Sequence, residues 1–271
     1  MFMCDGVISK EHEDFLRRMK RRTMWVRAVQ ILILIAFFGL WEITGRLGII
    51  DSFLISMPSR MFSTIISLSQ SGSLFLHVWV TLSETLLGFT LGTVLGILIA
   101  VILWWSDFIS EVLEPYLIVF NSLPKTALGP IFIVWMGNNQ APVITMALAI
   151  SLIVTIISVV TGFNQVDEDK IKLIKTFGGT KKQVLTKVIL PASVPTIMSA
   201  VKINMGLSWV GVITGEFLVS KAGLGYLIVY GGQIFKLDIV MSSVLILSIL
   251  AALMYVLIDY LEKKMLGSKF R

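Results

Sequence analysis

The chain has 271 residues, 56% hydrophobic and only 15% charged, which argues against a water-soluble domain, where roughly 25% of residues carry charge. A net charge of +6 raises nucleic acid as a partner, but the lysines and arginines fall between apolar runs rather than on a basic, aromatic-studded face. A single cysteine, Cys4, and two histidines, His12 and His77, leave neither a disulfide framework nor the ligand spacing of a metal site.

Crossing the hydrocarbon core of a bilayer takes about 20 apolar residues of helix. The basic arm at 1–24 leads into an apolar run at 25–43. That run is longer than the hydrophobic part of a signal peptide and lacks its small-residue cleavage site, so it reads as a retained first span. Further spans are predicted at 78–105, 112–136, 142–163, 194–219 and 239–260, giving an all-α membrane protein of six transmembrane helices. A long segment around the turn-like Met57-Pro58-Ser59 sets the first span apart from a functional bundle over 53–262, and a tail at 263–271 follows. The span at 112–136 is the least regular, because Pro115, Pro124 and Pro130 lie within it. Gly88, Gly92 and Gly96 recur every four residues in the second span, and Gly211 and Gly215 do so in the fifth. Such stripes let helix backbones approach closely and are read as packing devices.

Short loops rich in lysine and arginine stay on the cytoplasmic side. The arm holds Lys10, Arg17, Arg18, Lys20, Arg21, Arg22 and Arg27; the segment after the fourth span holds Lys170, Lys172, Lys175, Lys181, Lys182 and Lys187; the tail holds Lys263, Lys264, Lys269 and Arg271. The opposite loops show only Arg46, Arg60, Lys221 and Lys236. Both termini and the segment at 164–192 are therefore expected in the cytoplasm.

That cytoplasmic segment has its own pattern. Asp167-Glu168-Asp169 places acid where a helix N-terminus favours it, and Ile171, Ile174 and Gly178 then share a face. Gly178-Gly179 ends this short helix, after Phe177. Thr180 followed by Gln183 is a capping-box pattern that starts a second one, with Val184, Leu185, Val188 and Ile189 on its apolar side. Pro191 is expected to stop it, and Ser193 with Pro195 to open the fifth span. Two helices at a glycine hinge suit equally a docking surface for another protein and an interfacial element held on an anionic leaflet by its lysines.

Spacing adds a resemblance. Gly178, Val188, Leu190 and Pro191 resemble the EAA loop of ABC importer permeases, in which a Glu-Ala-Ala triplet, three residues, a glycine, nine residues, an aliphatic, any residue and Leu-Pro follow in order. Lys172-Leu173-Ile174 stands at the place of the triplet. Leu123-Pro124-Lys125-Thr126-Ala127-Leu128 through Trp135-Met136-Gly137, Gly215-Glu216 and Gly223-Leu224-Gly225-Tyr226 are similar to the nitrate, sulfonate and taurine branch of that family. The resemblance implies a type I ABC importer permease fold in a bacterial plasma membrane, with a cytoplasmic ATP-binding subunit docked on Ile171, Ile174, Phe177, Gly178, Gly179, Thr180, Leu190 and Pro191. It also implies an extracytoplasmic substrate-binding protein, a second permease copy and a small anionic or organic substrate: nitrate, a sulfonate, taurine or a vitamin precursor. No phosphate-binding G-x-x-x-x-G-K-[ST] motif occurs, so no cofactor is expected on this chain, and ATP with its magnesium belongs to the partner.

Ionisable residues inside spans are functional candidates by default. Glu84 and Glu216 are placed near the outer ends of the second and fifth spans, and Lys125 near mid-depth in the third, one helical turn after Asn121 and next to Pro124. One reading makes Asn121 and Lys125 the lining of a passage that offers positive charge to an anion. The other, favoured by the tendency of intramembrane charges to pair, makes Lys125 a buried partner of Glu84 or Glu216. Lys202 is expected to reach the cytoplasmic surface with its long side chain. An ion-coupled secondary transporter is the alternative function, and it would need inverted repeats and coupling charges near the midplane.

Overall fold

Apolar stretches longer than a bilayer is thick dominate the structure, a computed structural model describing residues 10–49, 51 and 55–267. Cys4, Lys269 and Arg271, with the rest of 1–9 and 268–271, lie outside the described residues. The chain divides into two compact units, residues 1–63 and 64–271. In the first, α1 (Lys10–Arg46) is one continuous helix whose apolar side chains from Trp25 to Ile43 stay largely exposed. Near its end, Glu42 pairs with Arg46 at 2.7 Å and accepts a hydrogen bond from the Ser59 backbone at 3.0 Å, within the first turn of α2 (Pro58–Gln70).

The second unit contains α3 (Ser73–Trp105), α4 (Asp107–Ser122), a 3-10 turn (Lys125–Leu128), α5 (Gly129–Met136), α6 (Gln140–Asn164) and α7 (Glu168–Thr176). It continues with α8 (Lys181–Val184), α9 (Leu190–Val219), α10 (Leu224–Gln233) and α11 (Leu237–Gly267). Among the described residues, 5 helices are each long and apolar enough to cross a membrane. The expected single span at 112–136 is instead a bent pair, α4 and the segment Lys125–Met136, meeting at 87°. Of its three prolines only Pro124 breaks the helix. Pro124 lacks an N–H and forces Leu123 into an extended conformation (φ −64°, ψ 139°). Pro130 falls in the first turn of α5, where the missing donor costs nothing, and Pro115 is absorbed inside α4.

The centre of the bundle is α6, packed between α3 and α9. All three helices present small residues at four-residue intervals on the facing sides. A methyl added at Gly88 would lie 2.7 Å from the Ala147 side chain, at Gly92 2.5 Å from Ser151, and at Gly96 2.6 Å from Thr155. From the other side, Gly211 abuts the Ala147 backbone, and a methyl at Gly215 would lie 2.8 Å from Val143. Helix axes approach this closely only where side chains are absent, and in a bilayer the resulting dispersion contacts are a main source of association. The glycine stripes are thus the packing surfaces expected of them.

The fifth span differs from its expected form. Pro191 does not stop the second cytoplasmic helix; α8, a π-helical turn (Leu185–Ile189) and α9 run on as one 39-residue helix from Lys181 to Val219. A proline in a regular helix presses its ring against the carbonyl four residues back, here Lys187. In the π-turn the Leu190 N–H bonds instead to Leu185 O, five residues back, and the widened turn moves that carbonyl aside. Pro195 then lies inside α9, and Ser193, fully buried, donates to Gly162 O at 3.3 Å. Beneath the π-turn, Val184, Leu185 and Ile189 form a buried cluster with Ala100, Val159 and Phe163.

Gly211→Leu should force α6 and α9 apart at Ala147 and destabilise the bundle by about 1–3 kcal/mol, the cost of overpacking a close contact. Gly206→Ala, whose methyl would meet no atom of the chain, should leave stability level or slightly improved. Thermal unfolding midpoints of the two purified variants test this difference.

Candidate functional site

The break between α4 and α5 puts polar groups between two largely apolar helices that meet at 87°. Asn121, Ser122, Pro124 and Thr126 are exposed there and Lys125 is half-buried. Lys125 Nζ donates to Asn121 O at 2.8 Å, which neutralises one carbonyl left open where α4 ends. This overturns the expected ion pair, since Lys125 reaches neither Glu84 nor Glu216. The turn at Pro124 folds the lysine back along the C-terminal, negative end of α4, where a cation is favoured.

Glu84 and Glu216 do come together, each 1% exposed, with the Glu84 carboxyl of α3 set against that of Glu216. Glu216 accepts from Thr81 Oγ1 at 2.6 Å and from the Gly225 N–H at 2.5 Å. Thr81 Oγ1 in turn accepts from the Leu224 N–H at 2.7 Å, and His77 Nδ1 from the Gly223 N–H at 3.0 Å. These are the open donors at the N-terminus of α10, so Thr81, Glu216 and His77 cap that helix from neighbouring ones. Gly223, at φ 121°, has no room for a side chain because its Cβ would fall on the Glu216 carboxyl. Glu216 therefore acts as a cap of α10. Lys202 has two acidic partners. Partly exposed, it lies between Asp259, at 2.9 Å, and Glu262 on α11, with the Tyr255 ring 5.7 Å away, and Asp259 also pairs with the exposed Lys263.

The segment after α6 has the caps its sequence announces. Asp167 accepts from the Asp169 N–H at 2.9 Å and opens α7. Gly178, at φ 75°, closes it: the Gly178 N–H bonds Lys175 O and the Gly179 N–H bonds Ile174 O, both at 2.9 Å, the paired bonds of a Schellman end. Thr180 and Gln183 form the complete capping box that opens α8. Ile171 and Ile174 turn inward onto the Val184 and Ile189 cluster, anchoring α7, and Leu190 is half-buried nearby. Lys172 pairs within its own helix, with Asp169 at 3.4 Å and Glu168 at 3.5 Å. The face left outward carries Leu173, 56% exposed, and Phe177, 81% exposed, one helical turn apart. Gly178 and Thr180 are exposed next to Phe177 in the chain, and Pro191 is exposed ten residues into the helix that starts at Lys181.

The family described as the binding-protein-dependent transport system inner membrane component matches residues 92–267. The chain belongs to this family. It is 26% identical over 263 residues to a Bacillus subtilis permease named for aliphatic sulfonate transport, SsuC, covering 96% of this chain and 95% of that one. It is 27% identical over 235 residues to the formylaminopyrimidine transport permease ThiX of Halalkalibacterium halodurans, with 87% and 93% covered. Against the taurine transport permease TauC of Escherichia coli the identity is 22% over 256 residues, with 92% and 93% covered. Among solved structures, a bacterial ABC transporter that imports the acidic polysaccharide alginate shares the fold at TM-score 0.64 and 15% identity, covering 93% of this chain and 99% of that one. A methionine ABC transporter in an inward-facing form shares it at TM-score 0.62 and 20% identity, with 72% and 95% covered.

The permease is thus a multi-pass membrane transport subunit rather than an enzyme, with ATP hydrolysis the task of a partner chain. Of the residues singled out from sequence, Asn121, Pro124 and Lys125 meet at the α4–α5 break, Glu84 and Glu216 meet elsewhere, and the glycine-hinge residues lie together at the end of α7. Leu173 was passed over as part of a triplet. Its signal was an apolar residue four before Phe177, on the face opposite Ile171 and Ile174.

Thr81→Val keeps the volume but leaves Glu216 and the Leu224 N–H each short of a partner, at a cost of about 1–3 kcal/mol. The expected outcome is a lower unfolding midpoint with an unchanged KM for transport. An altered KM at unchanged stability would place Glu216 in the passage instead.

Proposed function

We propose that this permease forms, with a second copy of itself, the passage of an ATP-driven importer for a small organic anion of the sulfonate or taurine class. The carrying observation is the broken crossing between α4 and α5. Backbone and polar groups at membrane depth are tolerated only where they line a water-filled cavity or are covered by protein. Asn121, Ser122, Lys125 and Thr126 are open on this chain, so this face belongs to a passage completed by another subunit. Lys125 supplies positive charge there, and the relatives named for aliphatic sulfonates and taurine supply the substrate class.

The same reading gives the remaining parts their places. Both termini and α7 lie in the cytoplasm, on the side of the lysine-rich segments. A separate ATPase, holding ATP and magnesium, docks on the exposed Leu173, Phe177 and Gly178, an apolar patch in water that calls for a cover. A substrate-binding protein delivers its cargo at the opposite end. Ile171 and Ile174 pass the motion of the ATPase inward, since they join α7 to the core below the π-turn.

Lys125→Ala should lower uptake of an alkanesulfonate or taurine in proteoliposomes while the assembled complex still forms, and Lys125→Arg should retain most of it. Loss of assembly in the alanine variant would make the lysine structural. Separately, Phe177→Asp should abolish co-purification of the ATPase and substrate-stimulated ATP hydrolysis. A variant that still assembles and turns over would remove the docking assignment.

A further inference from the structure

At the end of the bundle where α7 lies, the last turn of α3, the start of α4, the end of α6, α7 and α8 enclose a cavity of about 560 Å³. This is within the range of small-molecule sites, about 300–1,000 Å³. Charges of opposite sign line it. Asp107 and Glu111 stand one turn apart on α4, and Lys175 and Lys181 belong to α7 and α8. Among the described residues none of these four enters an ion pair, and Lys181 lies over the Trp104 ring, 5.6 Å from its centroid. The walls thus present an ammonium-binding side and a phosphate-binding side to whatever occupies the space between.

A second hollow, of about 230 Å³, shares Leu103, Ser110, Val160 and Asn164 with the first and runs between α4 and α6. Leu117, Ile118 and Ile157 make it largely apolar, with one carboxylate, Glu114. Trp104 and Trp105 end α3 beside the larger cavity, and paired tryptophans at a helix end mark the headgroup level of a bilayer. A two-signed chamber at that level, continued by an apolar crevice along membrane-crossing helices, matches a zwitterionic lipid in both charge and polarity.

We propose that the chamber binds the headgroup of an aminophospholipid, its ammonium at Asp107 and Glu111, its phosphate at Lys175 and Lys181, and one acyl chain in the α4–α6 crevice. An anionic lipid without an ammonium leaves three carboxylates facing it, Asp107, Glu111 and Glu114, against two lysines. A peptide segment fits the charged half but not the apolar half. Such a lipid ties α7 to the inner half of the broken crossing, two elements with few direct contacts. The proposal stands whichever solute the permease carries.

Native mass spectrometry of the purified transporter, titrated with phosphatidylethanolamine or phosphatidylglycerol, tests it. Phosphatidylethanolamine should be retained in preference, and Asp107→Asn with Glu111→Gln should weaken its binding by about tenfold, the loss of a charge-assisted contact, without weakening phosphatidylglycerol. Lys175→Ala with Lys181→Ala should weaken both lipids. Equal retention of the two lipids by the wild type, or no response to the acidic pair, overturns the proposal. Should the double variants fail to assemble, a photoactivatable phosphatidylethanolamine on the wild-type complex decides. Labelling of α4 and α6 supports the site, whereas labelling that spares both, or a Glu111 cross-link to the ATPase or to a second permease copy, overturns it.

Discussion

Ala147 lies between Gly88 of α3 and Gly211 of α9, close enough that no side chain larger than hydrogen fits on either flank. Everything else in the bundle follows from this contact and its repeats at Gly92, Gly96 and Gly215. Hydrocarbon offers no hydrophobic reward for helix association, so packing must come from close, extended backbone contact. Once α6 is clamped on both sides, α3 and α9 are near enough for Thr81 to reach Glu216 and for Asn204 to donate to Thr93 Oγ1 at 2.5 Å. The buried polar residues are therefore consequences of the glycine stripes. Thr81, Glu216, Thr93 and Asn204 bridge the small gaps between backbones with hydrogen bonds that lipid cannot supply.

The three clamped helices make a close-packed frame, and the α4–α5 pair and α7 lie at its margins. The α4–α5 pair meets the frame through few contacts and carries the open polar groups. The α7 helix rests on the frame through Ile171 and Ile174 and shows Leu173 and Phe177 outward. Between frame and margin the chain runs on without a joint at Pro191, because the π-turn keeps α8 and α9 one helix. Through Ile171 and Ile174, α7 is thus packed against a continuous 39-residue helix, not against a loose loop.

Much of this was legible in the residues. The long apolar runs, the caps at Asp167, Gly178 and Thr180, and the packing use of the glycines could be read because each depends on neighbours within a few positions. The errors share a cause. Pro124 and Pro191 look alike as helix breakers, yet only the first breaks a crossing; the second is relieved by a π-turn that no local pattern announces. Lys125 and Glu216 were matched by sign, while their actual partners were a backbone carbonyl and a helix N-terminus.

By itself the sequence determined that this is a helical membrane protein, which apolar runs form its long helices, and which short motifs cap and hinge the segment at 164–192. Those properties are set by hydropathy and by hydrogen bonds reaching at most about five residues along the chain. Only the tertiary structure decided which charged residues are caps, which are ion pairs, and which, like Lys125, fold back on a backbone carbonyl. A charge inside a membrane takes its role from whatever lies within a few ångströms of it, and for Thr81 and Glu216 that neighbour is 135 residues away in sequence.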